Sequence, residues 1–376
     1  MELKTQRLNK YFKLCHYYLA IIAIIAKINH TQLFKKLYMS AIQQALSILG
    51  EKLSLPTGLM SKVMNQIMDG DATQAQIGAL LMASKINGDS VQTITEAAKV
   101  MRDRAAKVKI EGDFIVDTCG TGGDGIGLFN VSTGAAIIAA AAGCNVAKHG
   151  NRSVSSTTGS ADVLEAAGVN LNLTVQQVEN CIKQCGIGFL FAPAHHAATR
   201  HAVAPRKEIG LRTFFNLLGP LTNPADAPNQ VMGVFAKDWM RKTAEVLKLL
   251  GSRHVMVVFS HDGMDEISIS APTDVCELKE GEILEYTIKP EDFGIQTQAC
   301  ESLIVNSANE SLTLINQAFA NGIGVTADIL ALNAGAAIYV SGKVDTMQEG
   351  VKLAQNALQS GLVEKKFKQL IELNNK

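Results

Sequence analysis

The chain has 376 residues, 47% of them hydrophobic and 19% charged, with 35 Lys or Arg against 35 Asp or Glu. That balance excludes a disordered chain and gives room for two domains, or one large domain with a smaller companion. The neutral total hides an asymmetry: residues 1–38 hold seven bases and one acid, leaving 28 bases against 34 acids in the other 338. An acidic body argues against a general nucleic-acid surface.

Residues 1–38 read as an atypical N-terminal extension. Their apolar run, 17–26, is flanked by Lys13 and Lys27 and is too short to cross a bilayer. No convincing small-residue cleavage site follows it, so no membrane partner is expected. Met39 opens the segment that reads as the body, and the preferred expectation is that the true start lies there; a genuine extra helix is the second reading. The seven cysteines are an odd number scattered through apolar segments. Cys181 and Cys185 lie one helical turn apart, yet no His or Cys set completes a metal site. Buried reduced thiols, and hence a cytoplasmic location, are expected.

From 39 to about 110 the pattern is helical. Ile42, Leu46 and Leu49 share one face, and Leu59, Val63, Ile67 and Met68 share another. Thr73 caps a run with Ile77, Leu80, Leu81 and Met82 that Gly88 closes, and Ser90 or Thr93 starts a helix through Met101. This small helical domain has no titratable constellation of its own.

At 111 the pattern changes to strand–helix alternation, the mark of a parallel α/β domain running to 376. Candidate strands are 115–116, 146–147, 188–191, 230–234, 255–259 and 266–270. Helices are expected at 133–142, 161–167, 174–185 and 237–250. The apolar helix 331–340 reads as core and implies no ligand. Pro205, Pro220 and Pro224 interrupt the alternation over 206–224.

The most informative stretch is 117–168. A short strand ends at Asp117 and is followed by Gly120, Gly122, Gly123, Gly125 and Gly127. Then come Asn130, Ser132 and Thr133 as caps of an alanine-rich helix that Gly143 should end. A strand-to-helix junction of this kind points unsatisfied N–H groups at one spot and suits an anion. A second strand delivers Lys148 and the polar loop 149–160. No Gly-Lys-Ser/Thr follows the glycines, and the helix begins too late for a dinucleotide fingerprint. Phosphate binding is the expectation that spacing alone supports.

GTGGDG (120–125), FNVST (129–133), KHGNR (148–152) with Ser155 and Ser156, and GSADVLEAAG (159–168) together resemble the anthranilate phosphoribosyltransferase family. The resemblance continues through RKEIGLRTFFNLLGPLTNPA (206–225) and DGMDEIS (262–268). It implies a parallel-sheet large domain with a smaller all-helical domain, as in nucleoside phosphorylases and phosphoribosyltransferases. It also implies that about 204–225 leaves the α/β domain to complete the helical one, with a hinge between them. The implied reaction joins the amine of anthranilate to C1 of 5-phosphoribosyl-1-pyrophosphate and releases pyrophosphate.

An aromatic amine is neutral at pH 7, so the barrier lies in breaking C1–O and holding charge on the leaving group. A general base is therefore not expected. For the phosphoribosyl donor the resemblance implies Gly120, Gly123, Asp124, Asn130, Val131, Ser132, Thr133, Lys148, His149, Gly150, Asn151, Arg152, Ser155, Ser156 and Ser160. For anthranilate it implies Arg206, whose planar guanidinium matches a carboxylate, lined by Gly120, His149, Asn151 and His196. For Mg²⁺ it implies Asp265, Glu266 and Ser132. Leu128, Ala197 and Pro205 depart from the family's pattern. A homodimer is implied as well. The alternatives are a pyrimidine-nucleoside phosphorylase of the same fold and a non-catalytic nucleic-acid-binding relative.

Overall fold

The computed structural model describes residues 39–153 and 157–375; the expectations for 1–38 lie outside them. Four helices open the described chain: α1 (Ala41–Gly50), α2 (Leu59–Asp69), α3 (Gln74–Asn87) and α4 (Val91–Arg104). Ser40 with Gln43, and Thr73 with Gln76, exchange side-chain and backbone hydrogen bonds and so satisfy donors that the first helical turn leaves free. Ser90 caps α4 through the Thr93 N–H. The apolar faces read from spacing are buried: Ile42, Leu49, Val63, Ile67, Ile77, Leu80 and Leu81 all lie in one core.

The α/β part carries a seven-stranded sheet in the order β3-β2-β1-β4-β5-β6-β7. Its strands are β1 (Ile115–Thr118), β2 (Asn145–Gly150), β3 (Ile187–Phe191), β4 (Asn229–Gly233), β5 (His254–Ser260), β6 (Thr273–Lys279) and β7 (Glu282–Ile288). The first five are parallel. β6 and β7 add an antiparallel hairpin at one end, turning at Glu280 and Gly281 with φ of +51° and +83°. From β1 the chain winds outward to β2 and β3, then returns to place β4 on the other side of β1. The β1/β4 boundary is thus the point where strand order reverses, and ligands of such sheets sit outside the carboxyl ends there.

One strand expectation fails. Residues 266–270 form no strand, because side chains occupy their backbone groups. Asn333 holds both the N–H and the C=O of Ile267, and Thr273 Oγ1 accepts the Ser268 N–H. β6 and β7 were not read from sequence.

The remaining helices are α5 (Val131–Ala141), α6 (Ser160–Ala166), α7 (Val175–Cys185), the single turn α8 (Ala192–His195), α9 (Val203–Ile209), α10 (Phe215–Leu221), α11 (Trp239–Leu249), α12 (Ala308–Asn321), α13 (Val325–Val340), α14 (Met347–Gln359) and α15 (Leu362–Asn374). One core joins α5, α13, α14 and α15 to one face of the sheet. A second runs from α1–α4 through Phe214, Phe215, Leu217, Leu218 and Leu221 to Met232, Val255 and Val257 on the other face. Arg102 of α4 bridges the same boundary, donating to the Leu221 and Leu250 carbonyls. Among the described residues no single helix is long and apolar enough to cross a membrane.

α13 is buried along nearly its whole length because small residues let neighbours approach. A Cβ on Gly335 would lie 2.5 Å from Val351 Cγ2 and 2.6 Å from the Val351 backbone nitrogen of α14. Gly335→Ala is therefore expected to lower stability by about 1–3 kcal/mol. The check is a urea midpoint that falls at constant m-value; an unchanged midpoint refutes this account of the packing.

Candidate active site

The glycine-rich turn leaves β1 and docks on the next strand. Thr121 N–H donates to Gly233 O at the end of β4 (2.9 Å), and Gly122 N–H donates to Asp265 Oδ2 (2.7 Å). Gly122, Gly123, Gly125 and Gly127 all have positive φ, between +62° and +82°. Gly233 is required for a different reason: a Cβ there would sit 1.5 Å from the Asp265 carbonyl oxygen. The end of β4 and the Asp265–Glu266 turn are in backbone contact.

α5 begins opposite that turn. The Ser132 N–H, one of its free first-turn donors, donates to Glu266 Oε1 at 3.2 Å, which places an acid at the helix N-terminus. Lys148, 2% exposed on β2, donates to Thr118 O (2.6 Å) and to Ser132 Oγ (3.4 Å). Gly122, Asp265, Glu266, Ser132 and Lys148 thus form one connected cluster at the carboxyl ends of β1, β2 and β4. Asp124 lies near enough that its charge acts on Asp265.

Three acids here are held above their ordinary range. Burial, and then the Asp124 charge, push Asp265 up to about 7. Burial and then Asp265 push Glu266 up to about 8. Burial raises Asp117 to about 6 against the pull of Lys148. Desolvated acids with one buried lysine leave room for added positive charge. Among the described residues no cluster of three or more His, Cys, Asp or Glu forms a metal cage. The arrangement fits an ion that takes a carboxylate or two and fills its shell with substrate oxygens and water.

The other expected residues divide. Asn130 does not cap α5 with its side chain; it is held by Ser311 Oγ and Thr158 Oγ1. Val131 and Thr133 lie in the first turn of α5, and Thr133 Oγ1 is buried without a partner. Gly120 and Gly123 lie in the turn itself, and Gly150 ends β2. Asn151 is exposed, and its carbonyl accepts from Ser160 Oγ. Arg152 points elsewhere: Glu165 and Asp162 hold its guanidinium at 2.7–3.1 Å on the surface. Ser155 and Ser156 lie outside the described residues.

Near Asn223, which ties the 222–225 loop to the Ala147 carbonyl of β2, the rings of His149 and His196 are 5.3 Å apart. His196 Nε2 pairs with Thr222 O, and burial lowers its pKa to about 4. The His149 ring is buried beside the Gly219 backbone, and burial, then His196, hold it well below the usual imidazole value. Arg206 of α9 lies 5.6 Å from the Phe215 ring centroid, and burial lowers its pKa. Among the described residues no carboxylate pairs with it.

A cavity of about 460 Å³ lies elsewhere, lined by Arg102, Lys107, Asp226, Pro228 and Gly251 among others. It opens where β4 and β5 begin, the wrong end of the sheet for the cluster just described. Sequence reasoning missed Gly233, Thr118 and Asn333. The period-2 pattern of 266–270 concealed Asn333's role by suggesting a strand.

Two family models match the chain: a glycosyl transferase family a/b domain over residues 112–363 and a glycosyl transferase family helical bundle domain over 43–105. An anthranilate phosphoribosyltransferase of Cellvibrio japonicus is 54% identical over 333 residues, covering 88% of this chain and 97% of that one. The crystal structure of the Thermus thermophilus anthranilate phosphoribosyltransferase is 38% identical with a TM-score of 0.83, covering 90% of this chain and 100% of that one. The Saccharomyces cerevisiae enzyme in complex with phosphoribosyl pyrophosphate and Mg superposes with a TM-score of 0.79, covering 88% of this chain and 98% of that one. At 24% identity that last likeness is one of fold.

Asp117 gives a pH signature apart from the acid pair. Its pKa is about 6 in the folded chain against an ordinary 3.8. A carboxyl raised on folding stabilises at low pH, and that contribution is lost as pH rises through the folded value. The Tm of the wild type minus that of Asp117→Asn should therefore fall between about pH 4 and pH 7; a rising difference refutes the burial argument.

Proposed function

The chain belongs to the anthranilate phosphoribosyltransferase family, and we propose that the cluster at the carboxyl ends of β1, β2 and β4 is where it carries out that reaction. The protein transfers the 5-phosphoribosyl group of phosphoribosyl pyrophosphate to the amine of anthranilate and releases pyrophosphate. The observation that carries the placement is the convergence of Lys148, the α5 N-terminus and the Asp265–Glu266 turn around the glycine-rich loop.

In this reading the turn 120–127 receives the diphosphate on those backbone N–H groups that Gly233, Asp124 and Asp265 do not already hold, with Ser132, Thr133 and Asn130 beside them. Lys148 is a fixed point charge, its donors already aimed at Thr118 and Ser132, so little reorganisation is needed as charge builds on the leaving group. Asp265 and Glu266, with Ser132, are the residues that would hold Mg²⁺. When bound there, Mg²⁺ would neutralise charge on the departing pyrophosphate. The exposed Asn151 and half-buried Ser160 lie along the loop that would bound the ribose phosphate, and Arg152 supports that loop through Glu165.

Arg206 would take the anthranilate carboxylate. It is a desolvated guanidinium with no acid in reach, stacked on Phe215, and such a cation gains most from a bidentate anion. His149 and His196, both held neutral, would line the aromatic pocket. No side chain is needed as a general base, because the attacking amine is already neutral. A homodimer in the cytoplasm fits the family reading, with buried thiols and an acidic body.

Anthranilate fluorescence tests the activity. Emission should fall only when phosphoribosyl pyrophosphate and Mg²⁺ are both present; no fall with pure protein refutes it. Arg206→Ala should raise KM for anthranilate by about 10-fold or more, the loss of a charged hydrogen bond, and leave KM for the donor nearly unchanged. Equal effects on both substrates would remove Arg206 from the anthranilate pocket.

A further inference from the structure

α13 reads as a core helix, and its stretch ALNAGAAIYV has two side chains with polar groups: Tyr339, whose hydroxyl pairs with Glu277, and Asn333, which is 3% exposed. Burying an amide among alanines is costly unless its groups are paired. The pairing is specific. Asn333 Oδ1 accepts the Ile267 N–H at 3.0 Å, and its Nδ2 donates to the Ile267 C=O at 2.9 Å and to Ile329 O at 2.9 Å. The carboxamide thus does for one residue what a neighbouring strand would do, in a segment that no strand pairs. Ile267 directly follows Glu266, so the clamp fixes the peptide from which the Glu266 side chain leaves.

The same helix also sets the other side of the site. α13 packs along α5, and a Cβ on Gly134 would lie 2.6 Å from Leu330 Cδ2. α5 supplies the Ser132 N–H that meets Glu266. One rigid helix therefore holds both the donor and the acceptor of that contact. The turn has further anchors besides the Ser268 N–H on Thr273 Oγ1. The Asp262 carboxylate accepts from the hydroxyls of Ser260, Ser268 and Ser270, and the Asp265 carbonyl abuts Gly233. Neither reaches the Glu266–Ile267 peptide.

We propose that Asn333 is a positioning residue for this reaction, its carboxamide clamp on Ile267 holding the Glu266 carboxylate in register with Ser132 and the metal. The inference rests on the reading of Asp265 and Glu266 as the metal-binding pair. Asn333 touches neither substrate nor metal; it acts through Glu266. Partners that orient metal ligands from behind typically change metal affinity by about 10–100-fold when removed.

The test uses the full chain with Mn²⁺ as a spin probe, titrated in the presence of phosphoribosyl pyrophosphate. Asn333→Ala should weaken Mn²⁺ binding by about 10-fold and raise the Mg²⁺ concentration for half-maximal activity in parallel. KM for anthranilate should stay within about twofold, since Arg206 lies outside the clamped segment. Asn333→Ser, whose hydroxyl satisfies itself on Ile329 O but cannot span to Ile267, should do the same at less cost to folding. In a double-mutant cycle, the Mn²⁺ penalty should largely disappear in a Glu266→Gln background. Unchanged Mn²⁺ affinity in a folded Asn333 variant, or a penalty that adds fully to that of Glu266→Gln, overturns the proposal. So does a chain that folds with neither substitution, which would assign Asn333 to the fold. If Glu266→Gln and Asp265→Asn both leave Mn²⁺ affinity intact, the metal-pair reading fails instead.

Discussion

The hydrogen bond from the Gly122 N–H to the Asp265 carboxylate joins the two halves of the sheet's mouth, and the geometry of the cluster follows from it. β1 and β4 are neighbours, with Thr118 opposite Val231, but their exits lead to unrelated loops. Thr121 first anchors the glycine turn on Gly233, and Asp265 then draws the next peptide toward the acid pair. With that contact in place, Glu266 faces the start of α5, and Lys148 reaches across from β2 to the same helix turn. A strand-order reversal provides the crevice; the Gly122–Asp265 bond and the Asn333 clamp on Ile267 together fix what lines it.

The electrostatics of this crevice are incomplete on their own. Three acids are raised by burial, while Lys148 and the end of α5 are the nearest compensation. A diphosphate alone would worsen the repulsion, and a divalent ion alone would leave Lys148 and the N–H groups of the turn without an anion. In the proposed reading, the two together supply a cation to the acids and an anion to Lys148.

Much of this was legible in the residues. Glycines after a short strand, hydroxyls before an alanine-rich helix and a lysine at the next strand read as an anion site, and Gly122, Ser132 and Lys148 do lie in one cluster. Thr73 read as a cap gave the start of α3 to the residue. Where reading failed, a side chain had replaced a backbone partner. Glu266-Ile267-Ser268-Ile269 alternates like a strand because Ile267 and Ile269 do enter the core, yet its peptide groups are met by Asn333 and Thr273. Period two records which side chains are buried, not what the backbone bonds to. Arg152, assigned to phosphate by its place in KHGNR, pairs with Asp162 and Glu165, one turn apart on α6. The β6–β7 hairpin was hidden by its charges, because a strand at the rim need not look apolar.

That rim has a consequence of its own. β7 is seven residues long and offers a row of peptide groups with no further strand beside it among the described residues. It is studded with Glu282 and Glu285, the latter paired with Arg241 from α11. An incoming ribbon from another molecule would have to strip water from those acids and from Thr287 to zip on. Those acids raise the cost of edge-to-edge pairing, while Leu284 on the same strand stays 63% exposed.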